Sequence, residues 1–427
     1  MQSKIWRIAA LLVLSAMIVS ACGGAATEAP PVETAAPPVT EAPVVTEAPV
    51  VTEAPPVEFV FGMLLVGPAN DHGWSQAHYE AGLYVEQQIP GTRMIYLENV
   101  YSGSPAYPGT TTSQLAEQLV QQGAQLIVFN SDDMKDEATR FAQDHPDVPV
   151  IMASGDQVWQ DGNAYLPMAN MVNIMGRMEY GKMMAGCAAA LTSQTGKIGY
   201  LGPLINDETR RLASSAYLGA RYCWEAAGGD PAALSFRVTW IGFWFNIPGV
   251  TSDPTQVADD FYNSGYDVVI SGIDTTEALT EAQRLYDAGQ AVWAIPYDFN
   301  GACDQAPAIC LGVPYFNWGP AYVSTVQSAI DGTLVSNFQW NGPDWSDINN
   351  PDTSAVGFVI GPALSAEATT SLNDFITSLA GGLNLWTGPI NLQDGTVYLT
   401  DGQVATDQQV WYLPQLLEGM EGQSVSQ

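Results

Sequence analysis

Short apolar runs alternate with amphipathic segments through the first two thirds of the chain. Phe59 to Val66 is an almost continuous apolar run that ends at Gly67-Pro68, which is typical of a parallel strand buried on both faces. The same reasoning predicts further strands at 92–97, 125–129, 148–152, 197–201, 234–240, 267–271 and 291–295. Helical periodicity predicts helices at 75–88, 113–122, 135–144, 177–191, 207–226, 256–263 and 276–288.

The strands and helices alternate in two successive arrays, with the long predicted helix 177–191 between them. This order predicts the α/β class, as two doubly wound Rossmann-like lobes with a hinge and an interlobe cleft. We expect lobe 1 at 58–172, joined by about 311–350, and lobe 2 at 173–310. The C-terminal segment 351–427 is expected to pack across both lobes.

The N-terminus has the pattern of an exported lipoprotein. Lys4 and Arg7 precede an apolar run at 8–19, which is shorter than the ~20 residues that span a bilayer. Val19-Ser20-Ala21-Cys22 resembles a bacterial lipobox, so we expect a signal peptide at 1–21 and a lipid anchor on Cys22. The alternative is an ordinary signal peptide with a chance cysteine.

Residues 22–57 follow as a segment rich in proline and glutamate. Thr-Glu-Ala-Pro repeats within it, and such a composition buries little apolar surface and favours extended polyproline-like geometry. Fully extended at ~3.1 Å per residue, the repeat would reach up to about 100 Å. The segment is therefore predicted to be a stalk that holds a soluble domain away from a membrane.

Charge narrows the function classes. The formal net charge is −32, and neither lysine nor arginine occurs after Arg284. Nucleic-acid binding requires cationic side chains that neutralise phosphates, so we exclude it. No second apolar segment approaches the length that spans a bilayer, so Cys22 is the expected membrane attachment.

We expect the protein to be a monomer.

Four cysteines remain after Cys22. Cys303 and Cys310 flank a short loop, which predicts a local disulfide. Cys187 and Cys223 sit late in two successive predicted helices, so they could form a second disulfide or remain small core residues. No Cys/His cluster has metal-ligand spacing, and the histidines His72, His78 and His145 are too scattered for a metal site.

The candidate ligand-binding residues lie mostly just after predicted strands. Ligands of doubly wound sheets bind beyond the carboxyl ends of the strands, and there the chain repeatedly places an aromatic or acidic side chain. Trp faces edged by carboxylates suit a flat heterocycle that donates hydrogen bonds. Each residue alone has a simpler reading, such as a helix cap for Asp71 or a core role for a Trp. The predicted set is Asp71, Trp74, His78, Asn130, Asn173, Trp244, Asp274, Asp298 and Trp318.

These motifs resemble the basic membrane protein family of ABC-transporter substrate-binding lipoproteins, which includes PnrA-like purine nucleoside receptors. The resemblance covers about 58–420 and implies a type I periplasmic binding protein fold that closes around a purine base or nucleoside and docks on an ABC permease. It implies that Trp74 and Trp244 sandwich the base and that Asp71, Asp274 and Asp298 form a polar rim. The matching stretches include Asp71-His72-Gly73-Trp74, Gly176-Arg177, Lys197-Ile198-Gly199-Tyr200, Trp240-Ile241-Gly242-Phe243-Trp244, Tyr297-Asp298 and Asn317-Trp318-Gly319-Pro320.

Departures from the family pattern leave the ligand open. Many nucleoside receptors carry Gly-Phe-Asn where this chain has Gly73-Trp74-Ser75, and the Trp form resembles a branch associated with free purine bases such as adenine. A riboflavin-like or sugar ligand, or a sensing role, is the alternative. We expect neither a cofactor nor an enzyme, since the chain lacks a Gly-x-Ser-x-Gly elbow and a P-loop. Among enzymes, a secreted carbohydrate-active protein is the best rival, and it would require two opposed carboxylates.

Overall fold

A computed structural model describes residues 59–425 of the chain. The predicted signal peptide, Cys22 and the stalk lie outside the described residues. The strands are β1 (Phe59–Leu64), β2 (Thr92–Leu97), β3 (Leu126–Phe129), β4 (Val150–Met152), β5 (Met171–Gly176), β6 (Lys197–Gly202), β7 (Ser235–Trp240), β8 (Val268–Ser271), β9 (Trp293–Ile295), β10 (Gly312–Phe316), β11 (Phe338–Asn341), β12 (Val356–Ile360), β13 (Ile390–Asn391), β14 (Val397–Leu399) and β15 (Met420–Glu421).

Helices follow most of the strands, as in a wound α/β array. They are α1 (Trp74–Gln88), α2 (Thr112–Gln121), α3 (Lys135–Asp144), α4 (Met178–Thr192), α5 (Asp207–Ala226), α6 (Pro254–Asn263), α7 (Glu277–Asp287), α8 (Gly319–Ile330), α9 (Ala366–Ala380) and α10 (Asp407–Trp411). No helix between residues 59 and 425 is long and apolar enough to cross a bilayer.

Two parallel sheets carry the architecture. The first has the strand order β11-β5-β4-β3-β1-β2 and the second has the order β15-β7-β6-β8-β9. All neighbouring strands in both sheets run parallel. In each sheet the order reverses between adjacent strands, at β1 in the first and at β6 in the second, and such switch points form ligand crevices at the carboxyl ends of strands. This is the doubly wound α/β class that the alternation predicts.

The proposed lobe boundaries remain a prediction. The two sheets show which segments near those boundaries pair with each other. The boundary at 172/173 falls inside β5, which belongs to the six-stranded sheet. The strand β11 joins the same sheet beside β5, within the segment 311–350 that was expected to return there. At the C-terminus, β15 pairs with β7 at the edge of the second sheet. The Tyr412 hydroxyl donates a hydrogen bond to the carboxylate of Asp156, in the loop between β4 and β5 of the first sheet.

Helices α4 and α5 form a tightly packed pair beside the second sheet. A Cβ atom on Gly186 would lie 1.8 Å from the carbonyl oxygen of Ala216, so only glycine permits this approach. Within the same pair the sulfur atoms of Cys187 and Cys223 lie 1.93 Å apart, at bonding distance. A second pair of cysteines, Cys303 and Cys310, has an Sγ–Sγ distance of 1.97 Å.

Candidate functional site

A small cavity lies where loops from the two sheets meet. Trp74 and Asp132 reach it from the carboxyl side of the first sheet, and Trp244 and Asp274 reach it from the second. Its volume in this structure is about 10 Å³, far below the ~300–1,000 Å³ of ligand pockets, so a ligand requires the loops of the two sheets to move apart. The lining residues are Trp74, Ser131, Asp132, Ser154, Glu208, Trp244 and Asp274.

Two tryptophans from different sheets line this cavity. Trp74 begins α1 and is almost fully buried, and its indole N–H donates a hydrogen bond to the carbonyl oxygen of Asn130. Trp244 lies in the loop after β7, and its carbonyl oxygen accepts a hydrogen bond of 2.9 Å from the Asp274 amide. The Nε1 atom of Trp244 is buried and has no partner among the described residues. That indole can therefore offer both a ring face and a donor to a ligand.

Carboxylates dominate the polar part of the lining. Asp274 is buried, and burial together with the nearby charges of Asp298 and Asp71 raises its pKa well above the usual range. Glu208 stands in the first turn of α5, where burial raises its pKa and the neighbouring Arg211 opposes that rise. A carboxyl group accepts hydrogen bonds when ionised and donates one when protonated, so these side chains can pair with donors or with acceptors of a ligand.

The raised pKa of Asp274 makes a testable prediction about stability. A carboxyl group with a raised pKa in the folded state contributes stability fully below its unfolded pKa near 3.8, and this is lost as pH rises through the folded pKa. The difference in unfolding free energy between the neutral variant Asp274→Asn and the unchanged protein should therefore shift in favour of the variant as pH rises from about 4.5 to about 8. Urea unfolding at both pH values measures this.

A matched substitution controls for the loss of one carboxylate. Asp401 is exposed, so Asp401→Asn should show no comparable gain with pH. An Asp274→Asn difference that stays the same at both pH values would contradict the burial argument.

The loops of the two sheets touch directly around the cavity. Ser154 follows β4 and donates a hydrogen bond of 2.5 Å to Glu208 Oε2. Asn206, the N-cap of α5, donates one of 3.3 Å to Asp132 Oδ2. At another point a Cβ atom on Gly73 would lie 1.8 Å from the carbonyl oxygen of Asp274. The cleft is therefore closed in this structure.

Aromatic side chains extend the contact at the rim. Tyr101, in the loop after β2, packs against Phe243 and Phe245 with ring centroids 5.8 Å and 5.4 Å away. Both phenylalanines belong to the loop that also carries Trp244. Within this loop Trp244 lines the cavity, whereas Phe243 and Phe245 contact the loop after β2.

Asp298 is buried beside a buried lysine rather than in the cavity lining. Neither of its carboxylate oxygens has a hydrogen-bond partner among the described residues, and its φ of 73° is left-handed. Burial raises its pKa, whereas Lys182 acts to lower it. The Lys182 Nζ donates to the carbonyl oxygen of Ser271 at 2.7 Å and lies 3.1 Å from the ring centroid of Tyr297.

Three of the predicted ligand residues pack behind Trp74. His78 stacks on Trp318 with ring centroids 4.3 Å apart, and its Nδ1 lies 2.6 Å from the hydroxyl oxygen of Tyr322. Trp318 meets Trp74 edge to face at 5.2 Å. Asn130 accepts from the amide of Val66 at 2.8 Å through its side chain. These residues hold the Trp74 ring in place.

The two remaining predicted residues make local hydrogen bonds. Asp71 accepts from the amides of Gly73, Ser75 and Gln76, each at 2.9 Å, and so caps the start of α1. Asn173 lies on β5 and accepts from the amide of Val158 at 2.8 Å. Both side chains shape the loops around the cleft, and neither is among the residues that line the cavity.

Four lining residues, namely Ser131, Asp132, Ser154 and Glu208, were not among the predicted ligand residues. The signal for them was present, because Ser131 and Asp132 lie two and three residues beyond the end of β3, and Ser154 lies two residues beyond β4. The rule that found Asp274 applies equally to these positions. Within residues 59–425, no group of three or more His, Cys, Asp or Glu side chains could hold a metal ion.

Solved structures with this architecture include ABC-transporter solute-binding proteins. One from Aeropyrum pernix K1 superposes with a TM-score of 0.60 at 12% identity, covering 78% of this chain and 93% of that one. Another from Conexibacter woesei DSM 14684 has a TM-score of 0.54 at 18% identity, with 76% and 98% covered. At these identities the likeness establishes the fold, which is that of type I periplasmic binding proteins.

Sequence relatives agree with this fold. A purine-binding protein of Brucella abortus (strain 2308) is 28% identical over 285 residues, which is 66% of this chain and 71% of that protein. A Haloferax volcanii protein, provisionally named as a glucose-binding protein of an ABC transporter, is 26% identical over 278 residues. The match covers 65% of this chain and 62% of the Haloferax protein.

A family model described as ABC transporter substrate-binding protein, PnrA-like, matches residues 59–374. The matched range includes every residue that lines the cavity, and it covers well over half of the chain. The family consists of extracytoplasmic substrate-binding proteins and not of enzymes, which confirms the expectation of a substrate-binding protein rather than an enzyme. The chain therefore belongs to the PnrA-like family of ABC transporter substrate-binding proteins.

Proposed function

We propose that this substrate-binding protein captures a purine base or purine nucleoside and delivers it to an ABC permease. The observation that carries the proposal is the cavity between Trp74 and Trp244, because two indoles from different sheets line one small space edged by carboxylates. Flat heterocycles stack on such rings, and their N–H groups bond to such acceptors. The purine-binding relative from Brucella supports the same ligand class.

Capture proceeds by closure of the two lobes. The contacts of Gly73 with Asp274 and of Ser154 with Glu208 join loops of the two sheets, so they form only when the cleft closes. Chain crossings near 169–176 and 310–315 serve as the hinge. The closed form then presents its outer surface to the permease as a monomer.

Calorimetric titration tests the ligand class. Adenine, guanine, hypoxanthine and their nucleosides are each titrated into the full chain, with riboflavin and glucose as the competing classes. The proposal expects micromolar or tighter binding for at least one purine. Heat with riboflavin or glucose and none with any purine would contradict it.

Glucose is included because of a specific relative. The Haloferax protein is named for that ligand, and tryptophan faces with carboxylates also suit pyranose rings. Riboflavin is the second competitor, since its flat ring system also stacks on tryptophan faces.

Attachment to a membrane through Cys22 is a further part of the proposal. The lipobox-like Val19-Ser20-Ala21-Cys22 supports it, as does the Pro- and Glu-rich segment that follows. In a bacterial host, Cys22→Ser should move the protein from the membrane fraction to the soluble extracytoplasmic fraction. Ser20→Thr is the control and should stay in the membrane fraction; retention of Cys22→Ser there would count against a lipid anchor.

A further inference from the structure

Residues 405–413, termed the bridging segment, contain α10 and lie between two elements that close on each other. Ser154, in the loop between β4 and β5 of the first sheet, donates a hydrogen bond to Glu208 of α5. The bridging segment contacts this same loop and this same helix. Any motion that separates Ser154 from Glu208 must therefore break the contacts of the bridging segment on one of its two sides.

Helix α5 and the second sheet hold one side of the bridging segment. Arg210 Nε donates a hydrogen bond of 2.7 Å to the carbonyl oxygen of Leu413. The guanidinium of Arg211 lies over Trp411, with its Cζ atom 4.0 Å from the ring centroid. Further along the chain, β15 pairs with β7 at the edge of the second sheet. These contacts fix the bridging segment to the second sheet and its helix α5.

Tyr412 makes the contacts on the other side. Its hydroxyl group donates a hydrogen bond to the carboxylate of Asp156 and accepts one of 2.7 Å from the amide of Asn163. Its ring stacks on Trp159, with the ring centroids 5.7 Å apart and an interplanar angle of 11°. One side chain thus joins the bridging segment to the β4–β5 loop through both its polar and its apolar parts.

The loop that Tyr412 contacts is fixed to the first sheet. Asn173 on β5 accepts a hydrogen bond of 2.8 Å from the amide of Val158. Trp159 also stacks on Phe338 of β11, with ring centroids 4.8 Å apart. A rotation of the first sheet away from the second therefore carries this loop away from Tyr412.

We infer that the bridging segment is a clamp that holds the cleft closed and slows the release of ligand, with Tyr412 as its central contact. A hydrogen bond to a carboxylate and an aromatic stack each stabilise the form that makes them. The clamp is separate from the ligand cavity, because no residue of the bridging segment lines that cavity. The inference rests on the lobe closure of the proposed function and not on the identity of the ligand.

Small-angle X-ray scattering of the ligand-free, full-length protein tests the clamp without any assumption about the ligand. Tyr412→Phe keeps the ring that stacks on Trp159 and removes the hydroxyl group that joins Asp156 and Asn163. Its radius of gyration should exceed that of the unchanged protein, because the closed form loses stability relative to the open form.

Stopped-flow fluorescence with adenine measures the release of ligand. Tyr412→Phe should release adenine about tenfold faster than the unchanged protein, because the closed form has lost a hydrogen bond to a charged group. The effect falls on the dissociation rate, since a bound ligand leaves only when the cleft opens. General loss of structure would instead lower the fraction of protein that binds and leave this rate unchanged.

Tyr262→Phe is the matched control. The Tyr262 hydroxyl also donates a hydrogen bond, of 3.0 Å, to the carbonyl oxygen of Trp293, but this bond joins α6 to β9 on the second sheet alone. Both the radius of gyration and the adenine release rate should equal those of the unchanged protein. Should Tyr412→Phe fail to fold, Asp156→Ala tests the same contact from the loop of the first sheet.

The possible failures are distinguishable. A radius of gyration in Tyr412→Phe or Asp156→Ala equal to that of the unchanged protein would overturn the clamp, and so would an equal rate of adenine release, while purine binding stands. Binding of no purine at all would overturn the proposed ligand class. The scattering comparison would then decide the clamp by itself.

Discussion

The variant Gly73→Ala should bind its purine ligand about 100-fold more weakly while keeping the fold of both sheets. A Cβ atom at this position would lie 1.8 Å from the carbonyl oxygen of Asp274, far inside van der Waals contact. That oxygen belongs to backbone, which cannot rotate aside as a side chain can. The loops before α1 and after β8 would have to move apart.

The expected loss of affinity follows from the energy needed to close the cleft around the added methyl group. Overpacking of well-packed contacts costs ~1–3 kcal/mol, and a backbone neighbour places this case at the upper end. A destabilisation of about 3 kcal/mol corresponds to roughly a 100-fold loss of affinity, because only the closed cleft holds the ligand. Calorimetric titration measures the affinity, and far-ultraviolet circular dichroism verifies the fold.

Gly342→Ala provides the matched control. An added Cβ on Gly342 would meet only the Arg177 side chain, at 3.9 Å, which is ordinary contact distance. Its ligand affinity should equal that of the unchanged protein. Unaltered affinity in Gly73→Ala would show that ligand binding does not depend on the closed contact.

Removal of either indole from the cavity should weaken purine binding by about 1–3 kcal/mol, or roughly 5- to 150-fold. Trp244→Ala removes a ring face and the unpaired N–H together, so its effect should fall in the upper half of this range. Trp74→Ala removes a ring face, and it also opens the cluster formed with Trp318. Calorimetry with the preferred base measures both variants.

Thermal unfolding separates the two roles of Trp74. The variant Trp74→Ala should lose stability as well as affinity, because large-to-small changes of buried aromatic residues cost ~3–5 kcal/mol. Trp224→Ala is the control for affinity, since Trp224 packs at the end of α5 and donates to the carbonyl oxygen of Asp230 at 2.9 Å. Unchanged affinity in both cavity variants would exclude the stacked arrangement.

The first ten predicted elements, from the strand at 59–66 to the helix at 207–226, show what periodicity can predict. The predicted strand at 125–129 and helix at 207–226 match β3 (Leu126–Phe129) and α5 (Asp207–Ala226) within one residue. The apolar runs of these strands are buried on both faces, so their signal is local and strong. Wound α/β arrays repeat this signal, which is why the fold class follows from the sequence.

Elements after Ile295 could not be assigned in the same way. Strands such as β13 (Ile390–Asn391) and β15 (Met420–Glu421) span two residues each, too few for any period to be read. The strand β15 exists because it pairs with Phe236 and Arg237, almost two hundred residues earlier. Periodicity does not predict β5 (Met171–Gly176) either, because Asn173 interrupts its apolar run.

The site illustrates the same limit at the level of side chains. Position after a strand identified Trp74, Trp244 and Asp274, which line one cavity. It could not tell a residue that faces a ligand from one that supports it, as Asp71 shows by capping α1. The same rule does not identify Glu208, because Glu208 lies six residues beyond the end of β6, inside α5.

Mass spectrometry of the ligand released on denaturation, from full-length protein purified without added nucleobases, tests the central claim most directly. The claim is that a purine occupies the cavity between Trp74 and Trp244. We predict a purine mass in a near-stoichiometric amount, and its loss in Gly73→Ala. A sugar or a flavin released in that amount instead would contradict the purine assignment.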